Sequence, residues 1–133
     1  MPGVPAVYYG SEWGMEGVKG RGTDAPLRPE VETPVWTELT DHIAKLAAAR
    51  RRSLALCHGG YRNVVLTNRQ AVFERAYEGR RVLVAINADS RPYTAHFDAG
   101  CGRAVDLISG QSHDFGGGSE LPPYSAFYWQ PER

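Results

Sequence analysis

Residues 81–88 read RVLVAINA. After Arg81 the run is apolar at Val82, Leu83, Val84, Ala85 and Ile86, without the alternation of a strand that has one wet face. Such a run asks for cover on both faces, which places it in the middle of a sheet. On either side of it the pattern has period two. Strands are expected near 62–67 (RNVVLT), 70–77 (QAVFERAY), 93–98 (YTAHFD), 103–108 (RAVDLI) and 124–130 (YSAFYWQ), although QAVFERAY alternates poorly. The breaks between them carry turn chemistry: Glu78-Gly79, Asp89-Ser90, Gly100 to Gly102, and Gly116 to Gly118. Short strands with turns every eight to twelve residues or so predict an antiparallel sandwich from Tyr61 onward.

Ahead of this region the period changes. Leu39, Ile43, Leu46, Ala47 and Arg50 fall at helical spacing and predict one amphipathic helix over 37–53. Glu38 and Asp41 sit in its first turn and Arg50, Arg51 and Arg52 in its last, the order the helix dipole favours. The three arginines therefore read as a solvated helix end rather than an anion patch. Gly59 and Gly60 mark the stop. Further upstream, VPAVYYG at 4–10 reads as a strand buried on both faces, and strands of that kind are parallel. The stretch 11–35 (SEWGMEGVKGRGTDAPLRPEVETPV) joins strand to helix, rich in Gly and Pro. A connection of this length is functional or disordered. A parallel strand needs neighbours joined by helical crossovers, and none follows. The chain reads as if it begins in the middle of a fold.

The totals set bounds. A chain of 133 residues can bury roughly two-thirds of its unfolded surface, enough for a sizeable core. Fifteen basic residues balance fifteen acidic ones, so no long-range field draws nucleic acid or an anionic membrane. No stretch is long and apolar enough to span a bilayer, and no signal-peptide zones are seen. Cys57 and Cys101 are too few and too far apart for a disulfide framework or a zinc site. Free thiols fit a cytoplasmic location, and a bridge between them stays open.

The segment GVPAVYYGSEWGMEG at 3–17 resembles the eighth barrel strand and following loop of the α-amylase family of glycoside hydrolases, usually G-I-P-x-x-Y-Y-G-D-E-x-G-M-x-G. Pro5, Tyr8, Tyr9, Gly10, Glu12, Gly14, Met15 and Gly17 match it; Ser11 stands where Asp is commoner. DAPLR at 24–28 looks like the family's D-x-x-x-R. LTDHIAKLAAARRRSLALCHG at 39–59 resembles the last barrel helix, which ends R-x-x-x-x-A-L-x-x-G. The remainder looks like the C-terminal β-sandwich, most of all that of neopullulanases and cyclomaltodextrinases, which act on maltodextrins. The resemblance implies a mostly β chain. Residues 1–58 would be a remnant strand, loop and helix of a (β/α)₈ barrel, and 59–133 an antiparallel Greek-key β-sandwich. It also implies a retaining mechanism in the parent enzyme, whose nucleophile, acid/base and third Asp follow the fourth, fifth and seventh strands. All three lie upstream of anything here, so no catalytic residue is expected in this chain, and no cofactor or metal.

Three residues are implied as substrate contacts. Asp24 and Arg28 match a family Asp and Arg that hydrogen-bond sugar hydroxyls on the glycone side, a carboxylate accepting and a guanidinium donating. The plainer alternative is a local i,i+4 ion pair. Trp13 could stack on a sugar or pack the barrel mouth. Glu12 is a structural carboxylate in the family, since catalysis needs two carboxyl groups flanking one bond. GVKGRGTD has a phosphate loop's glycines but not its K-[S/T] ending. His96 with Asp98 and His113 with Asp114 are each too few for a metal site. In the last strand Tyr124, Ala126 and Tyr128 share one face and Ser125, Phe127 and Trp129 the other. That is a core face with an aromatic rim, or a starch-binding platform. The expected partner is an α-glucan met by the intact enzyme, with a homodimer through the exposed barrel remnant as the fate of the chain by itself. Disorder before about residue 33 is the alternative fate. A stand-alone carbohydrate-binding or protein-interaction module, and an enzyme completed by a second chain, are the other functional readings.

Overall fold

The computed structural model describes residues 3–30 and 33–132. Val31 and Glu32, part of the expected loop, lie outside the described residues. The chain forms two compact units, one of Gly3–Ala47 and one that begins at Ala48.

The second unit is the antiparallel β structure. Its strands are β1 (Gly60–Leu66), β2 (Gln70–Tyr77), β3 (Arg80–Asn87), β4 (Tyr93–Ala95), β5 (Arg103–Asp106), β6 (Ser112–Asp114), β7 (Ser119–Leu121) and β8 (Ser125–Pro131). Six of them make one sheet in the order β1-β2-β3-β8-β5-β6, and β4 pairs with β7 in a second. Every ladder is antiparallel. The apolar run of β3 is central, as its sequence demands, and both its faces are covered. Leu83 and Ala85 join Val72, Ala104 and Trp129 in a core shared with Ala95 of β4 and Leu121 of β7. Val82 and Val84 point the other way, with Phe73, and pack on Ala55 and Leu56. Those two residues lie on the short helix Leu54–His58. Two-sided burial also explains why β2 alternates poorly.

Asn87 ties the sheets together. Its side chain is 1% exposed and fully used. The amide NH₂ donates to the carbonyls of Arg91 (2.8 Å), Leu121 (3.0 Å) and Pro122 (3.0 Å). The amide oxygen accepts from Gln70 Nε2 (2.9 Å) and from the Asp89 N–H (3.0 Å).

The helix α1 (Glu38–Arg52) falls where its periodicity puts it. It breaks at Ser53, whose hydroxyl accepts from Leu56 N–H at 3.3 Å and starts α2 (Leu54–His58). Gly59 stops α2 for a packing reason. A Cβ there would meet the Ala55 carbonyl oxygen at 2.3 Å and the Ala76 nitrogen at 2.9 Å. Buried Arg75 completes the junction by donating to the Gly59 and Gly60 carbonyls.

Four local expectations change. Val4–Gly10 contains no strand, and Val4, Val7, Tyr8 and Tyr9 are exposed, Val4 by 86%. A strand exists only where a neighbour accepts its ladder bonds, and no described residue does so here. The expected 93–98 strand stops at Ala95 and the 103–108 strand at Asp106. The 124–130 strand starts at Ser125 instead of Tyr124. The three-residue strands β6 and β7, polar apart from Leu121, are too short to show a period.

Candidate functional site

The loop that follows the Val4–Tyr9 stretch is built by glycines. Gly10 (φ 86) and Gly14 (φ 68) bracket a 3₁₀ turn at Ser11–Trp13. Both need left-handed backbone, which glycine adopts without penalty. Thr40, buried near the start of α1, donates its hydroxyl to the Glu12 carbonyl at 2.7 Å and so anchors the turn. Thr37 and Thr40 cap the same helix reciprocally, each hydroxyl accepting from the other residue's N–H. Trp13 is half-buried, its ring edge-on to Trp36 at 6.3 Å. Glu12 holds one carboxylate oxygen, Oε2, away from solvent with no hydrogen-bond partner.

Asp24 and Arg28 flank a second 3₁₀ turn, Ala25–Leu27. The Leu27 N–H donates to Asp24 O and the Arg28 N–H to Ala25 O, both at 3.0 Å. Both side chains are exposed. They do not pair with each other. Lys19 takes the Asp24 carboxylate instead, Nζ to Oδ1 at 3.5 Å. The Gly20–Thr23 bridge closes the turn between them. The i,i+4 spacing of Asp24 and Arg28 does not point to this pairing, which the turn at 20–23 brings about. An exposed pair of this kind contributes little stability, so both Asp24 and Arg28 keep their hydrogen-bonding capacity for solvent or a ligand. A shallow hollow nearby is walled by Tyr8, Tyr9, Ser11, Met15, Glu16 and Leu27, among others. Asp24, Arg28 and Trp13 do not line it.

Of the two histidine–aspartate pairs, His96 and Asp98 are exposed, whereas His113 is half-buried in the sandwich. His113 stacks on Trp129 (4.3 Å, 9° between planes) and its Nε2 meets Ser119 Oγ at 2.9 Å. Burial pulls its pKa below the ordinary imidazole value, against the opposing pull of Asp114. Asp114 accepts from the Gly116 N–H (2.8 Å) and from Arg103 Nε (3.3 Å), and both hold its carboxyl below the usual range. Among the described residues no three His, Cys, Asp or Glu side chains gather as a metal site would require. Arg50 donates to the Leu56 carbonyl and accepts at its own carbonyl from Cys57 Sγ (3.1 Å). Cys57 and Cys101 are unbridged. In the last strand Trp129 is buried and Phe127 stacks on it at 5.3 Å. Of that strand's expected aromatics only Tyr124 is exposed.

Comparison with known proteins follows the fold. No protein-family model matches the chain. It is 34% identical over 86 residues to a cyclomaltodextrin glucanotransferase of Bacillus sp. (strain 38-2), covering 64% of this chain and 12% of that protein. A cyclomaltodextrinase of Thermoanaerobacter pseudethanolicus is 28% identical over 95 residues, covering 67% of this chain and 15% of that one. The solved α-amylase of Geobacillus thermoleovorans, complexed with acarbose, superposes with a TM-score of 0.85 at 22% identity, over 99% of this chain and 30% of its own. The chain thus spans only a minor part of each relative. Sequence and fold together bear out the resemblance to part of an α-amylase-family glycoside hydrolase.

Proposed function

From this likeness to α-amylase-family glycoside hydrolases we infer that the chain is the C-terminal portion of such an enzyme, acting on α-1,4-glucans or maltodextrins. The superposition of nearly the whole chain on an α-amylase three times as long carries the inference. In this reading residues 1–58 complete the catalytic barrel and 59–133 form the β-sandwich that supports it. Val4–Tyr9 is the strand that the barrel's own neighbours would order. Asp24 and Arg28 bind hydroxyls on the glycone side, and Trp13 lines the approach. The bond-breaking carboxylates belong to the preceding barrel strands, so this chain does not hydrolyse glucans by itself. Alone, in the cytoplasm or in a tube, it covers Val4–Tyr9 by pairing with a second copy.

The test has two arms. The purified chain should release no sugar from maltotriose, and turnover that survives repurification rejects the reading. In the longer enzyme, Asp24→Asn or Arg28→Ala should lower kcat/KM on maltooligosaccharides by about tenfold to a hundredfold, the cost of unpairing a charged hydrogen bond to substrate. Unchanged kcat/KM removes both residues from the site.

A further inference from the structure

The two sheets of the second unit meet at the corner between β6 and β7. β6 ends the six-stranded sheet and holds only three pairs to β5, through Ser112, His113 and Asp114. β7 belongs to the other sheet, paired with β4. Phe115 and the three glycines 116–118 join them. One side-chain hydrogen bond spans the corner, between His113 Nε2 and Ser119 Oγ at 2.9 Å. Ser119 is 1% exposed, and His113 is the one partner its hydroxyl has among the described residues. A buried hydroxyl with one partner is satisfied when it donates, which makes Nε2 the acceptor and the ring neutral. Protonation puts an N–H at that nitrogen and leaves the Ser119 proton without an acceptor in a dry site.

The groups around the ring do not compensate. Asp114, next on β6, takes the other face of the strand and is held by Arg103 of β5 and the Gly116 N–H. Asp106 of β5 is engaged by Ser109 and the Tyr128 N–H. Glu120 of β7 is exposed and faces away from the buried Ser119. Glu132, beyond β8, accepts from Ser112 Oγ at 3.1 Å. His96 brings a second imidazole close to the corner, where a Cβ on Gly118 would meet its Cε1 at 2.8 Å. From β8 comes the face of Trp129, which attracts a cation but offers the Ser119 proton no lone pair. Phe115 closes the side, edge-on at 4.7 Å. Burial prevails over the pull of Asp114, and the His113 pKa lies below the ordinary imidazole value.

We propose that His113 is an acid-sensitive latch: neutral, it ties the β6 edge to β7, and protonated, it frees residues 112–119 from the Trp129 face. The latch stands on the second unit alone and does not depend on the glucan reading. Linkage fixes its direction. A histidine whose folded pKa is depressed lends its full stabilisation above the unfolded value and loses it as pH falls from there to the folded value.

The test is amide hydrogen exchange with a histidine NMR titration on the 133-residue chain. The Phe115 N–H, bonded to Gly102 O at 3.0 Å, reports on the corner, and buried Val84 of β3 on the whole sheet. Phe115 should exchange at least about tenfold faster than Val84, as a local opening does. Its protection factor should fall about threefold or more from pH 7 to pH 5. That fall should vanish in His113→Gln and persist in His96→Asn. Equal protection of Phe115 and Val84 makes the opening global and overturns the latch. A fall that survives His113→Gln, or that is lost with His96→Asn, overturns it too. If His113→Gln does not fold, the titration of the unsubstituted chain decides: a His113 pKa at or above that of the unfolded chain overturns the latch by itself.

Discussion

At the scale of single residues, buried polar groups set the stability of the sandwich. Asn87 meets three carbonyls with its NH₂ and two donors with its oxygen. Asn87→Asp turns an amide donor into an oxygen facing those carbonyls. It should cost about 2–4 kcal/mol in urea unfolding, more than Asn87→Ala relative to its lost volume. Glu74 gives a pH signature. Burial pushes its carboxyl pKa up, but hydrogen bonds from Arg62 (3.2 Å) and Arg81 (3.0 Å) outweigh this and leave it below 4.5. A carboxyl with a depressed folded pKa stabilises above its unfolded value and loses that contribution as pH falls through the folded one. Glu74→Gln should therefore cost about 1–2 kcal/mol at pH 7, discounted for the exposed Arg62, and almost nothing at pH 2. An equal cost at both pH values would refute the assignment. None of this was legible beforehand. Asn87 looked like the end of an apolar run, and nothing in QAVFERAY announces that Glu74 sits between two arginines of neighbouring strands.

At the scale of elements, pattern carried most of the fold and failed where a partner was required. The helix and the central strand β3 follow directly from spacing, because helix bonds are local and an unbroken apolar run leaves one placement. The short strands β6 and β7 exist only because β5 and β4 accept them, so their sequences alone had little to show. Val4–Tyr9 is the converse case, with strand chemistry and no ladder. Likewise Asp24 and Arg28 were legible as hydrogen-bonding groups on a loop, whereas the Lys19 contact depended on a turn no spacing rule predicts. The junction of α2 and β2 offers a sharp test. Gly59→Ala pushes a methyl against the Ala55 carbonyl and the Ala76 nitrogen, both backbone atoms. With nothing flexible to yield, Tm should fall by several degrees, matching about 1–3 kcal/mol of overpacking. Gly60→Ala, which meets nothing within 4 Å, is the matched control.

At the scale of the whole molecule, zero net charge and exposed Val4, Val7, Tyr8, Tyr9 and Trp36 leave little to oppose self-association. Sedimentation of the free chain should show a concentration-dependent dimer at micromolar levels. Val7→Lys with Tyr9→Lys should shift it to monomer, and an unshifted equilibrium would place the contact elsewhere. The strand order carries a further consequence. β8, residues 125–131, lies between β3 and β5 and bonds to both. Until the ribosome has released those residues from its exit tunnel, the two halves of the large sheet have no bridge. Productive folding of the sandwich must therefore wait until synthesis has passed residue 131, and a premature stop before residue 125 should yield a chain that quality-control proteases clear.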